Sequence, residues 1–174
     1  AGAIPTVNGE VLAEQAVNTD QSHGRFDFLL DPEKTGRYTL VDLKSISSFG
    51  LKKRMEEGAA PEHCAQLCRY FLKLKDRYPI DHGTIWYISK DGKPGLTDLE
   101  CRVTFDDELI QSTRADIEDE NSAWKNYLTT KNLPPMLPLE PNGKAHWSCR
   151  YCSLVQNCDK AHQIGNKYLP GLTT

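Results

Sequence analysis

Residues 24–44 read GRFDFLLDPEKTGRYTLVDLK, and this stretch decides the fold. Residues 24–31 and 37–44 are rich in aromatic, aliphatic and β-branched side chains, the composition of half-buried strands. Between them, Asp31-Pro32-Glu33-Lys34-Thr35-Gly36 carries the residues of a turn. The stretch therefore predicts an antiparallel hairpin. If the hairpin is symmetric about Lys34 and Thr35, Asp27 lies directly opposite Asp42. Cross-strand neighbours on one face have Cβ atoms only ~5 Å apart. Two carboxylates that close repel, and burying them uncompensated is costly. A divalent cation removes the conflict. Lys44 is two residues past Asp42, so it projects from the same strand face. The plain alternative is two solvent-facing strand acids and an edge lysine. Asp-x-Lys is common by chance, and alone it favours that alternative.

Outward from the hairpin, Pro61 and Glu62 open a helix, as proline and an acid in a first turn should. Cys64, Leu67, Cys68, Phe71 and Leu72 form its apolar stripe. Gln66 and Tyr70, one turn apart, share a face beside that stripe. Residues 84–89 and 98–104 predict a second hairpin across Asp91-Gly92-Lys93-Pro94-Gly95, and residues 106–130 a helix with acids in its first turn. Residues 9–17 fit a strand or a short helix equally. Ser45-Ile46-Ser47-Ser48-Phe49-Gly50 reads as a small-residue loop after the second strand. Leu133-Pro134-Pro135-Met136-Leu137-Pro138 cannot sit inside a helix and reads as a linker. The expected organisation is a core over residues 1–132, then linker and cysteine-rich module over 133–174. The expected fold class is α/β, of mixed α+β type.

Composition excludes several classes. The chain has 174 residues, 39% hydrophobic and 26% charged, ordinary for one globular domain. No apolar run approaches the ~18–20 residues of a membrane span. No secretory leader is recognisable, so a cytoplasmic protein is expected. The first residues, Ala1-Gly2-Ala3-Ile4-Pro5, carry no initiator Met, which predicts a processed or cut N-terminus and missing upstream sequence. With 21 basic and 24 acidic residues the net charge is −3, so any nucleic-acid contact must be local. Lys52 and Lys53 are candidates for it, against the ordinary reading of a solvated charged face. No G-x-x-x-x-G-K-[ST] stretch is present, so no nucleotide cofactor is expected.

Gly24-Arg25-Phe26-Asp27, Asp42-Leu43-Lys44 and Gln66-Leu67-Cys68-Arg69-Tyr70 occur in that order. They match G-x-x-D, (D/E)-x-K and Q-x-x-x-Y. Over roughly residues 20–160 the chain resembles the RecB-like branch of the PD-(D/E)XK nucleases, which includes CRISPR-associated RecB-like nucleases and many phage exonucleases. The resemblance implies a restriction-endonuclease-like core, a central mixed sheet flanked by helices. It implies that Asp27, Asp42 and the backbone carbonyl of Leu43 hold Mg²⁺ or Mn²⁺. Those hard ions prefer oxygen ligands, and such an ion activates water and offsets phosphate charge. Lys44 would be the catalytic lysine, and Gln66 and Tyr70 would contact the active site and the DNA. The implied activity is a DNA nuclease, an exonuclease more than an endonuclease, in phage or bacterial DNA processing and recombination. The substrate would be DNA ends or single strands, without sequence specificity, with recombination or helicase proteins as candidate partners. The family often has a metal-binding histidine on a helix well upstream. Here 23 residues precede Gly24, and their one histidine, His23, reads as an ordinary strand-start residue.

The chain has six cysteines. Cys64 and Cys68 lie on the helix stripe and Cys101 mid-strand, where a free cysteine packs as a small hydrophobe. Cys149-x2-Cys152-x5-Cys158 is tight enough for its thiolates to converge on one metal or cluster. Trp147-Ser148-Cys149-Arg150-Tyr151-Cys152 is similar to the run that ends many RecB-like nucleases, where the cysteines share a structural 4Fe–4S cluster. A zinc site completed by His162, or by His146, is the alternative. Two other functions stay open at this level. One is a non-catalytic, nuclease-like DNA-binding or assembly module. The other is a zinc-stabilised interaction protein whose Asp-x-Lys is chance.

Overall fold

The computed structural model of the chain describes residues 16–19, 22–31 and 34–131. The chain divides into two compact units, residues 1–118 and 119–174. The first unit holds two sheets. Strands β1 (Ala16–Thr19) and β2 (Ser22–Arg25) form an antiparallel pair. Strands β3 (Phe28–Leu30), β4 (Tyr38–Ile46), β5 (Ile80–Ser89) and β6 (Asp98–Val103) form a four-stranded mixed sheet in that order. β3 pairs antiparallel with β4, β4 parallel with β5, and β5 antiparallel with β6.

The hairpin register is the one its turn symmetry predicts: Phe28 pairs with Val41, Leu29 with Leu40 and Leu30 with Thr39. The turn is held by Asp31. Its side chain accepts the backbone N–H groups of Thr35 at 2.9 Å and Gly36 at 2.6 Å. Lys34 and Gly36 take positive φ, 55° and 77°, which lets the chain reverse within these few residues.

Two sequence expectations need correction. The predicted strand over 24–31 is broken: β2 ends at Arg25, and the chain changes sheets through Phe26 and Asp27 before β3. The loop expected over Ser45–Gly50 is instead the end of β4 and the start of helix α1 (Ser48–Glu57). Ser47 caps that helix, its Oγ accepting the Gly50 N–H at 3.1 Å. Gly58, at φ 79°, ends it. The Ser48 N–H and hydroxyl both donate to Asp91 at 2.8 and 2.9 Å, which pins the helix start to the β5–β6 turn.

Helix α2 (Pro61–Leu74) begins at its proline, as expected. Helix α3 (Asp107–Thr130) follows β6; its residues from 119 onward belong to the second unit. Leu51 of α1 and Leu67, Tyr70 and Leu74 of α2 meet Leu29, Leu40, Ile85, Tyr87 and Val103 of the sheet in one core. Gly83 explains how closely α2 approaches. A Cβ there would overlap the Leu67 side chain and lie 2.8 Å from Phe105 Cζ. Phe71 of α2 stacks on Phe105, ring centroids 4.1 Å apart, just before α3. Burying Leu67 completely is worth about 2–3 kcal/mol. Cys68 is fully buried, while Cys64 and Cys101 are half-buried against the core. Burial pushes all three thiols up, so they pack as neutral hydrophobes.

Candidate active site

Strand geometry sets up the site. Asp42 and Lys44 project from one face of β4, the face that α2 covers, and their parallel partners on β5 are Ile85 and Tyr87. Asp42 is 3% exposed and Lys44 half-buried. Lys44 Nζ lies 2.7 Å from Asp42 Oδ2. The same ammonium donates to Gln66 Oε1 at 2.8 Å. Gln66 in turn donates through Nε2 to the Tyr70 hydroxyl at 3.2 Å. The lysine is thus held between the strand and the helix.

Asp27 arrives from the point where the chain enters β3. Its Oδ2 accepts the Leu43 N–H at 2.6 Å. That amide faces the edge where a longer β3 would have supplied a carbonyl, so the carboxylate takes the place of a ladder bond. In a strand the N–H and C=O of one residue face the same edge, so the Leu43 carbonyl is directed there too. The break between β2 and β3 therefore opens a gap lined by a carboxylate and a main-chain oxygen.

Despite its burial, Asp42 Oδ2 is met only by the Lys44 ammonium among the described residues, in an ion pair that is poorly aligned for a hydrogen bond. Four buried side-chain polar atoms among the described residues lack a hydrogen-bond partner, and this is the one carboxylate oxygen in that group. Burial pushes the Asp42 carboxyl above the ordinary carboxylate range, and the charge of Asp27 adds to the effect; Lys44 opposes both. An oxygen in this state suits a hard divalent cation, which would take its lone pair and neutralise the paired acids. Among the described residues no group of three His, Cys, Asp or Glu side chains is gathered for a metal. A cation here would rest on two carboxylates, the Leu43 carbonyl and water, which is how Mg²⁺ prefers to bind.

Glycine 24 links two of the motifs. A Cβ on Gly24 would lie 2.8 Å from Tyr70 Cε1, so the glycine lets the Tyr70 ring sit against β2. Tyr70 is 8% exposed and belongs to the core. The sequence places it beside the apolar stripe; in the structure it is part of the packed interior, with only its hydroxyl serving Gln66. Lys52 and Lys53 lie on the exposed side of α1.

His63 was not foreseen. It stands one turn before Gln66 on α2, and its Nδ1 is 2.9 Å from the Tyr87 hydroxyl, which also accepts the Ala60 N–H at 3.0 Å. Burial first, and then the charge of Lys44, hold His63 below its ordinary value. The signal was present in the spacing: 63, 66 and 70 fall on one helical face. Cys149, Cys152, Cys158, His146 and His162 lie outside the described residues, as does the linker.

A mixed sheet with helices packed on it, carrying Asp-x-Lys on a central strand and a second acid at the neighbouring strand end, defines a restriction-endonuclease-like protein. The family model described as the PD-(D/E)XK nuclease superfamily matches residues 12–159. The chain belongs to that superfamily, whose members are usually metal-dependent nucleases acting on DNA. No curated protein shows significant sequence similarity to it. Among the described residues, no helix is long and apolar enough to cross a membrane.

Proposed function

We propose that the chain is a Mg²⁺- or Mn²⁺-dependent deoxyribonuclease of the RecB-like branch. It would act on DNA ends or single strands, as an exonuclease, in phage or bacterial DNA processing. The observation that carries the reading is the buried Asp42 oxygen met only by the Lys44 ammonium, beside Asp27. Asp27, Asp42 and the Leu43 carbonyl hold the cation. When bound, the ion supplies Lewis acidity to the phosphate and eases deprotonation of water. Hydrolysis joins a water oxygen to phosphorus, breaks the bond to the leaving sugar oxygen, and moves a proton from the water to that oxygen or to solvent. Lys44 orients the attacking water and stabilises the negative charge that develops on phosphate. Gln66 aims the lysine through the 2.8 Å bond, and the buried Tyr70 holds Gln66 in turn through its hydroxyl. Lys52 and Lys53 contact the DNA backbone. Cys149, Cys152 and Cys158 hold a structural 4Fe–4S cluster, or zinc with His162.

The test is digestion of end-labelled single- and double-stranded DNA with Mg²⁺ or Mn²⁺, beside Lys44→Ala. The protein is purified anaerobically, with iron and zinc measured on the same batch. Metal-dependent cleavage lost in the variant is expected. Binding of DNA by a folded, metal-replete sample without cleavage would assign the chain to the non-catalytic class. Zinc as the bound metal, with no iron, would replace the cluster with the zinc site.

A further inference from the structure

Helix α1 begins three residues after Lys44, at the capping residue Ser47. An extended connection of that length spans about 10 Å, so the helix starts beside the reaction centre. Its inner side is Ser48 and Leu51, both buried. Its outer side carries Phe49, Lys52, Lys53 and Glu56 at the spacing of one helical face, all exposed. Phe49 is 80% exposed, the most exposed of the large hydrophobic residues described. Nothing in the core explains an aromatic ring in that position. Of the two lysines beside it, Lys53 is loosely held: it reaches Glu57 only at 3.9 Å, and both partners are more than half exposed. Such a pair contributes little, so its ammonium is free to exchange partners. Met55, also exposed, sits roughly 120° round the helix from Phe49 and belongs to another side.

We infer that this face of α1 is a stacking site for an unpaired nucleobase of single-stranded DNA next to the scissile phosphate. Phe49 provides the π-face, and Lys52 and Lys53 take the flanking phosphates. An aromatic ring flanked by cations is the pattern that binds single strands without reading sequence. Lys52 and Lys53 outnumber Glu56 on this face, so it suits the phosphates of a polyanion. The inference rests on the nuclease reading and adds one base-contacting residue to it: Phe49, engaging an unstacked base beside the cut.

The experiment uses the full chain in the Lys44→Ala background, where bound DNA stays intact. Binding is read by anisotropy on labelled single strands that carry one abasic site, moved nucleotide by nucleotide. One position is expected where loss of the base weakens binding on the order of tenfold. Phe49→Ala should weaken binding to the intact strand by a similar factor and make that position insensitive to base loss. Phe49→Trp should restore the sensitivity; Phe49→Leu, apolar but without a π-face, should not. Thermal unfolding checks that these exposed substitutions leave the fold unchanged. Equal binding by Phe49→Leu and the parent, or a base-loss effect that survives Phe49→Ala, would overturn the stacking site while leaving the nuclease reading intact. A self-association abolished by Phe49→Ala would assign the face to a second copy and also overturn it. Failure of the parent to bind any DNA would remove both readings.

Discussion

Two buried acids on one hairpin make opposite use of their surroundings. Asp31, 1% exposed, sits at the closed end and accepts two backbone N–H groups at 2.6 and 2.9 Å. Asp42, 3% exposed, sits at the open end with an oxygen met only by the Lys44 ammonium. Burial alone is the same for both, so it does not tell function from structure. The difference lies in what the lone pairs meet. A carboxylate whose oxygens are taken by backbone amides is a fastener. One left short of donors, beside a second acid and with a single lysine opposing the effect of burial, is disfavoured in its charged form, and a proton or a metal ion relieves that.

Exchanging each acid for an uncharged residue gives the largest contrast. Asp42→Asn is expected to lower metal-dependent cleavage at least about a hundredfold, the scale of removing one key electrostatic group from an active site. Its thermal stability should hold or rise, because the substitution removes a carboxyl that burial disfavours in its charged form. Asp31→Ala should do the reverse. It leaves the Thr35 and Gly36 amides without their acceptor and costs about 2–4 kcal/mol in a urea titration, with cleavage per folded molecule retained. Cleavage surviving in Asp42→Asn would break the comparison.

The next contrast lies in pH and cation dependence. The folded-state pKa of Asp42 stands above its unfolded value, so the folded protein binds that proton more tightly. Its contribution to stability is full below the unfolded carboxylate value of about 3.9 and is lost as pH rises to the folded pKa. Above that window the ionised acid is ready for a cation. Mg²⁺ or Mn²⁺ should therefore raise the melting temperature more at neutral than at acid pH. Asp42→Asn should abolish that cation effect, and Asp31→Ala should keep it. A cation shift equal in wild type and Asp42→Asn would place the cation elsewhere.

The open end was legible in the sequence because strand geometry is strict. Turn residues at Asp31–Gly36 set the register, and a period of two put Asp42 and Lys44 on one face. The break at Phe26–Asp27 was not legible, since it depends on a side chain replacing a main-chain bond that the short β3 does not supply. Helix α1 was hidden by Ser45–Gly50, whose small residues suit a loop as well as a capped start. Its end signals, Ser47 and Gly58, were nonetheless in place. Tyr70 shares a face with Gln66 as its spacing predicts, but its burial is not legible, because a helical stripe in sequence does not reveal that β2 brings Gly24 against the ring.

That contact yields a smaller effect. Gly24→Ala must displace the Tyr70 ring, because its Cβ would stand 2.8 Å from Cε1. A stability loss of about 1–3 kcal/mol is expected, the range for overpacking a filled site. Cleavage should fall as well, since a displaced Tyr70 no longer holds Gln66 against Lys44. Tyr70→Phe keeps the ring and loses only the hydroxyl, so it should cost about 1 kcal/mol or less. A Gly24→Ala protein as active and stable as wild type would show that the glycine does not serve this packing.

The smallest effect belongs to His63, which borders the open end without joining it. Burial and the charge of Lys44 both disfavour its protonated form, so the unfolded chain takes up the proton first as pH falls. The stability it contributes is full above the unfolded histidine value of about 6.5 and is lost as pH drops from there toward the lower folded value. Urea midpoints measured across that interval should decline in wild type and decline less in His63→Gln. A remainder is expected from His82, which burial also holds below its ordinary value. Lys44→Ala removes one of the causes that hold His63 down, beside burial and the charge of Arg54, and should shrink the decline without abolishing it. If His63→Gln leaves the slope unchanged, the histidine does not sense the lysine, and the electrostatic reach of the open end stops at Gln66.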